Sequence, residues 1–269
     1  FPDNNTGYII STGGEKLKTT NAGENWFVLS TGPYGNINDM DFFNSNTGVI
    51  VGNQRIVYKT INGGINWVDI GSVNNSIYYI KSVKILSQDS IIFGCDEGVY
   101  CTWIYTRNLW FFQPQVPYGV ITNFDAKNNK IYGCSSDYIF YSSDFGSSWV
   151  RKSLNLSGLY RIKIIGTDSV YVAGQSSTVY FSTNGGENWN YNILPYYGIA
   201  YNILGIDFST DKKGIVVGSN GFFANLSNGV SWTTNYNIFS TQKFTLAKAI
   251  SSQSFIICGN SSTLKTTNF

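Results

Sequence analysis

Carboxylates are the residues to weigh first, because this chain of 269 residues contains no histidine. That absence removes the commonest general base, the commonest zinc ligand and every Ser/His or Cys/His dyad, and leaves acid–base work to Asp, Glu, Tyr or Lys. Asp39 and Asp41 stand two residues apart, a spacing that puts both side chains on one face of a strand, where an acid and a base could share a substrate. Asp41, Asp125 and Asp207 precede a tryptophan by 26, 24 and 25 residues. A carboxylate repeated at one point of alternate units is expected to accept hydrogen bonds from a turn or strand end rather than to form a unique catalytic pair. The four cysteines, Cys95, Cys101, Cys134 and Cys258, have no CxxC spacing, so neither a metal site nor a cofactor is predicted.

What must position these residues is written in the tryptophans. Trp26, Trp67, Trp110, Trp149, Trp189 and Trp232 are separated by 41, 43, 39, 40 and 43 residues. In four cases the octet Ser/Thr-x-Asn/Asp-x-Gly-x-x-Trp is complete: Thr19-Asn21-Gly23-Trp26, Thr60-Asn62-Gly64-Trp67, Ser142-Asp144-Gly146-Trp149 and Ser182-Asn184-Gly186-Trp189. The octet ending at Trp232 keeps Gly229 with Ser227 and Asn225, and around Trp110 it has decayed to Trp103, Tyr105 and Arg107. Each unit carries four β-branched or aromatic runs, INDMDFF, TGVIVGN, RIVYKT and WVDIG in the second, and no window has an apolar period of 3.6. Four antiparallel strands recurring every ~41 residues predict an all-β fold, a β-propeller of four-stranded antiparallel blades that bury their faces on one another. The octet falls between third and fourth strands. There the Asn or Asp can bond N–H groups of its own turn, the Gly can take a positive φ, and the Trp can pack between blades.

The expected repeats run over 1–34, 35–75, 76–117, 118–157, 158–197, 198–240 and 241–269 of one domain, 1–269. Leu264–Asn268 repeats Leu17–Asn21 letter for letter, and Thr6-Gly7 aligns with Thr47-Gly48, which sets Phe1 against Phe42. Seven blades are therefore expected, the first without its innermost strand and the last without its outer one, with six closed blades as the competing count. Cys101 holds a position filled elsewhere by Leu17, Tyr58, Phe140, Tyr180 and Phe223, and is expected in the core. Cys95 and Cys134 each follow a glycine in neighbouring repeats, where stacked sheets about 10 Å apart are too distant for a disulfide. Cys95 with Cys101 across one hairpin stays open as a pair.

Composition narrows the function. With 13% charged and 16% aromatic residues and a net charge of +2, the chain folds rather than staying disordered. Its 18 Lys+Arg are offset by 16 Asp+Glu, so no nucleic-acid partner is expected. No apolar run reaches the ~18 residues of a membrane span. The sequence opens at Phe1 without Met or a leader, as a mature product or a piece of something longer would.

The octet resembles the Asp-box (BNR) repeat of sialidase-like propellers. The wider form, NTGYIISTGGEKLKTTNAGENW and NTGVIVGNQRIVYKTINGGINW, most resembles the photosystem II stability/assembly factor-like propellers of secreted bacterial proteins. That resemblance covers the whole chain. It implies a box that serves folding, on the face away from the usual ligand site, and an extracellular, cell-surface or periplasmic location. Sialidase chemistry itself needs three arginines around a carboxylate, a Tyr–Glu nucleophile pair and an Asp acid. Of Arg55, Arg107, Arg151 and Arg161, Arg161 alone falls on a predicted inner strand, in Tyr160-Arg161-Ile162-Lys163, which is similar to the sialidase Phe/Tyr-Arg-Ile-Pro motif but lacks the proline.

Aromatics give the remaining signal. Tyr34, Tyr118 and Tyr197 each lie eight residues after a Trp, in Pro33-Tyr34-Gly35, Pro117-Tyr118-Gly119 and Pro195-Tyr196-Tyr197-Gly198. They fall in the connection from one blade's outer strand to the next blade's inner strand, opposite the octets. Tyr78, Tyr79, Tyr160 and Phe239 fill comparable connections. The expectation is a non-enzymatic propeller that binds a protein partner, or serves as a scaffold in a larger surface complex, through Tyr34, Tyr78, Tyr79, Tyr118, Tyr160 and Tyr197. The alternative class is a carbohydrate-binding or glycoside-processing propeller with a glycan on the same face. Asp89-Ser90-Ile91 and Asp168-Ser169-Val170 resemble the O-glycosylation acceptor of Bacteroidetes surface proteins, and a β-turn accounts for them equally well.

Overall fold

The computed structural model describes residues 1–11, 13–71, 79–96, 100–104, 109–113, 120–152, 157–195, 200–227, 231–235, 242–260 and 263–266, with 100–104, 109–113 and 235 described in backbone only. Two compact units divide the chain, Phe1–Ser135 with Phe140–Arg151, and Ser136–Ile139 with Lys152–Phe269.

In the first unit, β1 (Gly7–Ile10), β2 (Lys16–Thr19) and β3 (Phe27–Leu29) form a three-stranded sheet. Three four-stranded sheets follow: β4 (Ile37–Phe42), β5 (Gly48–Gly52), β6 (Val57–Thr60) and β7 (Val68–Asp69); β8 (Ile80–Ser87), β9 (Ser90–Cys95), β10 (Tyr100–Ile104) and β11 (Leu109–Gln113); β12 (Ile121–Lys127), β13 (Lys130–Ser135), β14 (Ile139–Ser142) and β15 (Val150–Lys152). The second unit holds β16 (Leu159–Ile164), β17 (Val170–Gly174), β18 (Thr178–Ser182) and β19 (Asn190–Ile193), then β20 (Ile203–Phe208), β21 (Gly214–Gly218), β22 (Phe223–Leu226) and β23 (Trp232–Asn235), then β24 (Phe244–Ala249), β25 (Phe255–Gly259) and β26 (Thr263–Thr266). Every pairing is between chain neighbours and antiparallel, as β-propeller blades require.

Seven full blades are not formed. The described residues give twenty-six strands, six blades' worth with two to spare, because the first and last sheets hold three each. Phe1 nevertheless occupies the place of Phe42. Its ring lies 2.3 Å from where a Cβ on Gly7 would stand and meets Trp26 edge-on at 6.0 Å, as Phe42 stands 2.5 Å from the same point at Gly48 and 6.2 Å from Trp67.

The core lies between neighbouring sheets. Val49, Val51 and Val57 pack against Ile80, Val83, Ile85, Ile91 and Phe93 in one cluster, and Ile215 and Val217 against Phe244, Ala247, Phe255 and Ile257 in another. Second strands such as β5 and β21 are buried along their whole length, which is why they read GVIVG and GIVVG without alternation. Cys95, Cys134 and Cys258 are buried thiols outside any disulfide, and burial pushes the Cys258 thiol up to about 11. The Cys101 side chain lies outside the described residues.

Each complete octet closes the same hydrogen-bonded turn between third and fourth strands. The Ser/Thr hydroxyl accepts the backbone N–H of the Gly, from Gly23 to Thr19 at 3.0 Å, Gly64 to Thr60 at 2.9 Å, Gly146 to Ser142 at 2.8 Å and Gly186 to Ser182 at 2.8 Å. It donates to the Asn or Asp oxygen two residues on, which accepts the N–H just before the Trp, at 2.9 Å for Asn21, Asn62 and Asp144 and 3.0 Å for Asn184. The turn glycines carry φ of 81° to 84°, a region that a side chain disfavours. The indole N–H then donates to the Gly carbonyl at 3.1, 3.0 and 3.0 Å for Trp26, Trp149 and Trp189. Trp67 departs from this pattern. The Gly64 carbonyl accepts the hydroxyl of Thr31, from the preceding sheet, at 3.1 Å, and the buried Trp67 indole N–H has no partner. The side chains around Trp110 and the middle of the octet before Trp232 lie outside the described residues.

This difference is measurable. Trp189→Phe removes an indole hydrogen bond worth about 1 kcal/mol that Trp67→Phe does not. Urea unfolding should therefore place the Trp67→Phe variant about 1–2 kcal/mol above Trp189→Phe, and equal losses would contradict the bonding pattern.

Candidate functional site

On the inner strands the carboxylates are occupied by backbone and lysine. Asp39 accepts the N–H of Val83 at 2.9 Å, and Asp41 that of Ile85 at 2.8 Å, so both reach from β4 to the edge of β8. Lys84 stands 3.3 Å from Asp41 and 3.8 Å from Asp125. In the second unit, Asp207 accepts the N–H of Ala249 at 2.9 Å and lies between Lys163 at 3.1 Å and Lys248 at 3.2 Å. An inner strand leaves one edge of N–H groups without a ladder partner. A carboxylate from the preceding sheet satisfies them. The sequence placed the aspartates but missed Lys84, Lys163 and Lys248, whose signal was available: they hold the same strand position in the intervening sheets.

Burial of Asp207, 3% exposed, would by itself raise its carboxyl, but the Lys163 and Lys248 ammonium groups and the Ala249 N–H outweigh it and hold the group well below the usual carboxylate range. Arg161 donates from Nη1 to the Tyr160 carbonyl at 3.1 Å. Arg107 lies outside the described residues.

At the opposite end of the strands from the octets, each inner strand opens with a buried apolar residue and a register shift: after Ile37, Ile80 and Ile121 in the first unit, and after Leu159, Ile203 and Phe244 in the second. A bulge there re-aims the following side chain. The residues so presented are Asn38, Lys81, Thr122, Tyr160, Leu204 and Thr245. Asn38 donates to Asn53 and to the Ile80 carbonyl, both at 2.7 Å, and Lys81 lies 3.8 Å from Asp96.

The tyrosines divide. Tyr34 is 67% exposed, and its hydroxyl donates to the Ser30 carbonyl at 2.9 Å. Tyr79 is 41% exposed with the Lys81 ammonium 5.3 Å from its ring centre. Tyr160 is half-buried and accepts a hydrogen bond from the Gln175 amide at 2.9 Å. Tyr78, Tyr118 and Tyr197 lie outside the described residues, as does Phe239. Sequence reasoning also passed over Lys16. It is 2% exposed, donates to the carbonyls of Gly14 and Pro33 at 2.7 and 2.8 Å, and sits 4.4 Å below the centre of the Tyr34 ring. Burial holds its ammonium below the usual lysine range.

No family model and no curated protein matches the chain. Solved structures do. "YCF48 bound to D1 peptide" superposes with a TM-score of 0.80 at 17% identity, covering 100% of this chain and 91% of that one. YCF48 from Cyanidioschyzon merolae gives 0.76 at 15% identity over 99% and 92%, and the WD40 β-propeller domain of Doa1 gives 0.73 at 11% over 98% and 89%. The shared feature is the β-propeller fold.

Asp207 carries a pH prediction. Its folded pKa is depressed, so its stabilisation is present above the unfolded value of about 3.9 and is lost as pH falls through the folded one. Asp207→Asn should cost about 3–5 kcal/mol at pH 7, as for breaking a buried charge pair, and should lose less than the parent between pH 7 and pH 3. Urea midpoints at the two pH values check this, and parallel losses in both proteins would contradict it.

Proposed function

We propose that the chain is a protein-binding propeller that takes a polypeptide segment of its partner on the face formed by the outer-to-inner connectors. The observation that carries this reading is Tyr34: a large ring two-thirds open to solvent, yet held at its hydroxyl by Ser30. An exposed aromatic already fixed in place loses little conformational freedom on binding, which is how interface anchors act. Among solved structures of the same fold is YCF48 bound to D1 peptide. The inner-strand carboxylates are taken up by strand edges and lysines, which fits a non-enzymatic role. We read the octet turns as Asp boxes that serve folding, and the chain as a scaffold module of a bacterial surface, extracellular or periplasmic assembly.

An exposed, oriented tyrosine also suits stacking on a sugar, so a glycan is the second reading for the same face. A glycan array with hydrolysis controls separates the two. The direct test places a photo-crosslinking amino acid at Tyr34 on the connector face and at Ile65 on the octet side, which is 62% exposed, within the cells of origin. The expected result is a discrete protein adduct from position 34 and none from 65. An adduct from 65 alone would overturn the reading. Once a partner is in hand, Tyr34→Ala should weaken binding by about 1–3 kcal/mol beyond its cost to stability, which the lost Ser30 bond and the lost contact with Lys16 set at about 1–2 kcal/mol.

A further inference from the structure

Lys16 stands at a position that belongs to the core. Ten residues before the tryptophan, four other sheets place Val57, Ile139, Val179 and Phe222, each at most 2% exposed, while the last sheet, which has three strands, places the exposed Thr263 at that point. Lys16 is buried to the same degree. Replacing an aliphatic by an ammonium in such a place is strongly unfavourable unless a counter-charge meets it. Among the described residues none does: its contacts are two carbonyls and the underside of Tyr34, and the adjacent Glu15 forms no ion pair with it. Departures of this kind from the local rule cluster at functional sites.

A second cation is carried by the loop that approaches this connector. Gly35, next to Tyr34, approaches Ile56, whose Cδ1 is 3.7 Å from where a Cβ on Gly35 would stand. Arg55 precedes Ile56 in a turn where Gln54 and Arg55 take φ of 56° and 65°. Among the described residues the Arg55 guanidinium has neither an ion pair nor a hydrogen bond. The exposed tyrosine is thus backed by one uncompensated positive charge, and the loop that comes nearest its connector, through Ile56 and Gly35, carries a second.

We propose that Lys16, Tyr34 and Arg55 form the anchor for an acidic side chain, Asp or Glu, of a bound peptide segment. The inference rests on the connector face being the binding face. The ammonium below the ring draws its π density away from the open face, which eases the approach of an anion that an aromatic face would otherwise repel. Arg55 supplies the planar donors that a carboxylate prefers. The surface is charge-complementary to a carboxylate before any partner arrives, and the partner's charge supplies what Lys16 lacks.

The test is an array of eight-residue peptides in which each position in turn is fixed as Glu, Gln, Lys or Ala, probed with the labelled chain, with (dT)8 as competitor. The wild type should retain Glu-fixed peptides at least about tenfold over their Gln counterparts, a difference typical of one charged interface contact. Lys16→Met, which restores an apolar residue at the core position, should melt at or above the wild-type temperature and lose that preference. Arg55→Gln should reduce it several-fold. Retention of the full Glu preference by a folded Lys16→Met protein, or absence of any preference in the wild type, would overturn the anchor. Displacement of the peptides by (dT)8 at equal concentration would overturn the peptide assignment. The crosslink from position 34 distinguishes the two failures: an adduct that persists without Glu preference sinks the anchor alone, and loss of the adduct as well sinks the binding face.

Discussion

A blade of four short strands has two apolar faces and no core of its own, so everything here depends on fixing a large ring at the seam where one sheet meets the next. The octet turn does this with a single side-chain oxygen at its head. The hydroxyl of Thr19, Thr60, Ser142 or Ser182 satisfies the N–H groups of a turn that passes through positive φ, and hands its proton to the Asn or Asp that ties down the residue before the tryptophan. The ring is then oriented from its own backbone before it touches a neighbour. Within its own sheet the ring meets a phenylalanine edge-on, Phe42 for Trp67 and Phe208 for Trp232, and Trp67 also abuts Gly32, in the connector that follows the preceding sheet.

At the other end of the strands the constraint is electrostatic. Inner strands carry edges that no sheet completes, and aspartates reach across to them. Each such carboxylate would be a costly burial alone, and the lysines of adjoining sheets make it tolerable. Asp207, between Lys163 and Lys248, shows the arrangement most fully. The same requirement explains why two aspartates one pleat apart, Asp39 and Asp41, hold up a neighbouring strand: their oxygens already point at Val83 and Ile85.

Much of this was legible in the sequence because it is local. The octet's bonds join residues two to four apart, so the turn, its glycine and its tryptophan could be placed from spacing, and the strands follow from β-branched runs between turn residues. The alignment of Phe1 with Phe42 was legible for the same reason, since the Phe–Gly–Trp contact recurs within each repeat. What lay beyond reach joins residues about forty apart. The shared strand position of Lys84 and Asp41 was legible, but whether the one answers the other depends on how two sheets stack. Lys16 looks like an ordinary surface lysine between Glu15 and Leu17, and only its alignment with Val57, Ile139 and Val179 marks it as misplaced.

The sign of charge on the inner strands changes from each sheet to its neighbour: Asp41, Lys84, Asp125 in one unit, and Lys163, Asp207, Lys248 in the other. The true period of these units is therefore two sheets, not one, although the tryptophans repeat with every sheet. Excising the third sheet would set Asp41 beside Asp125, and excising the sixth would set Lys163 beside Lys248, like charges in half-buried surroundings where repulsion is poorly screened. A lineage built on this alternation can gain or shed sheets in pairs at little electrostatic penalty, whereas a single insertion or loss demands a compensating change of sign. Parity, more than length, limits how such a chain can be rearranged.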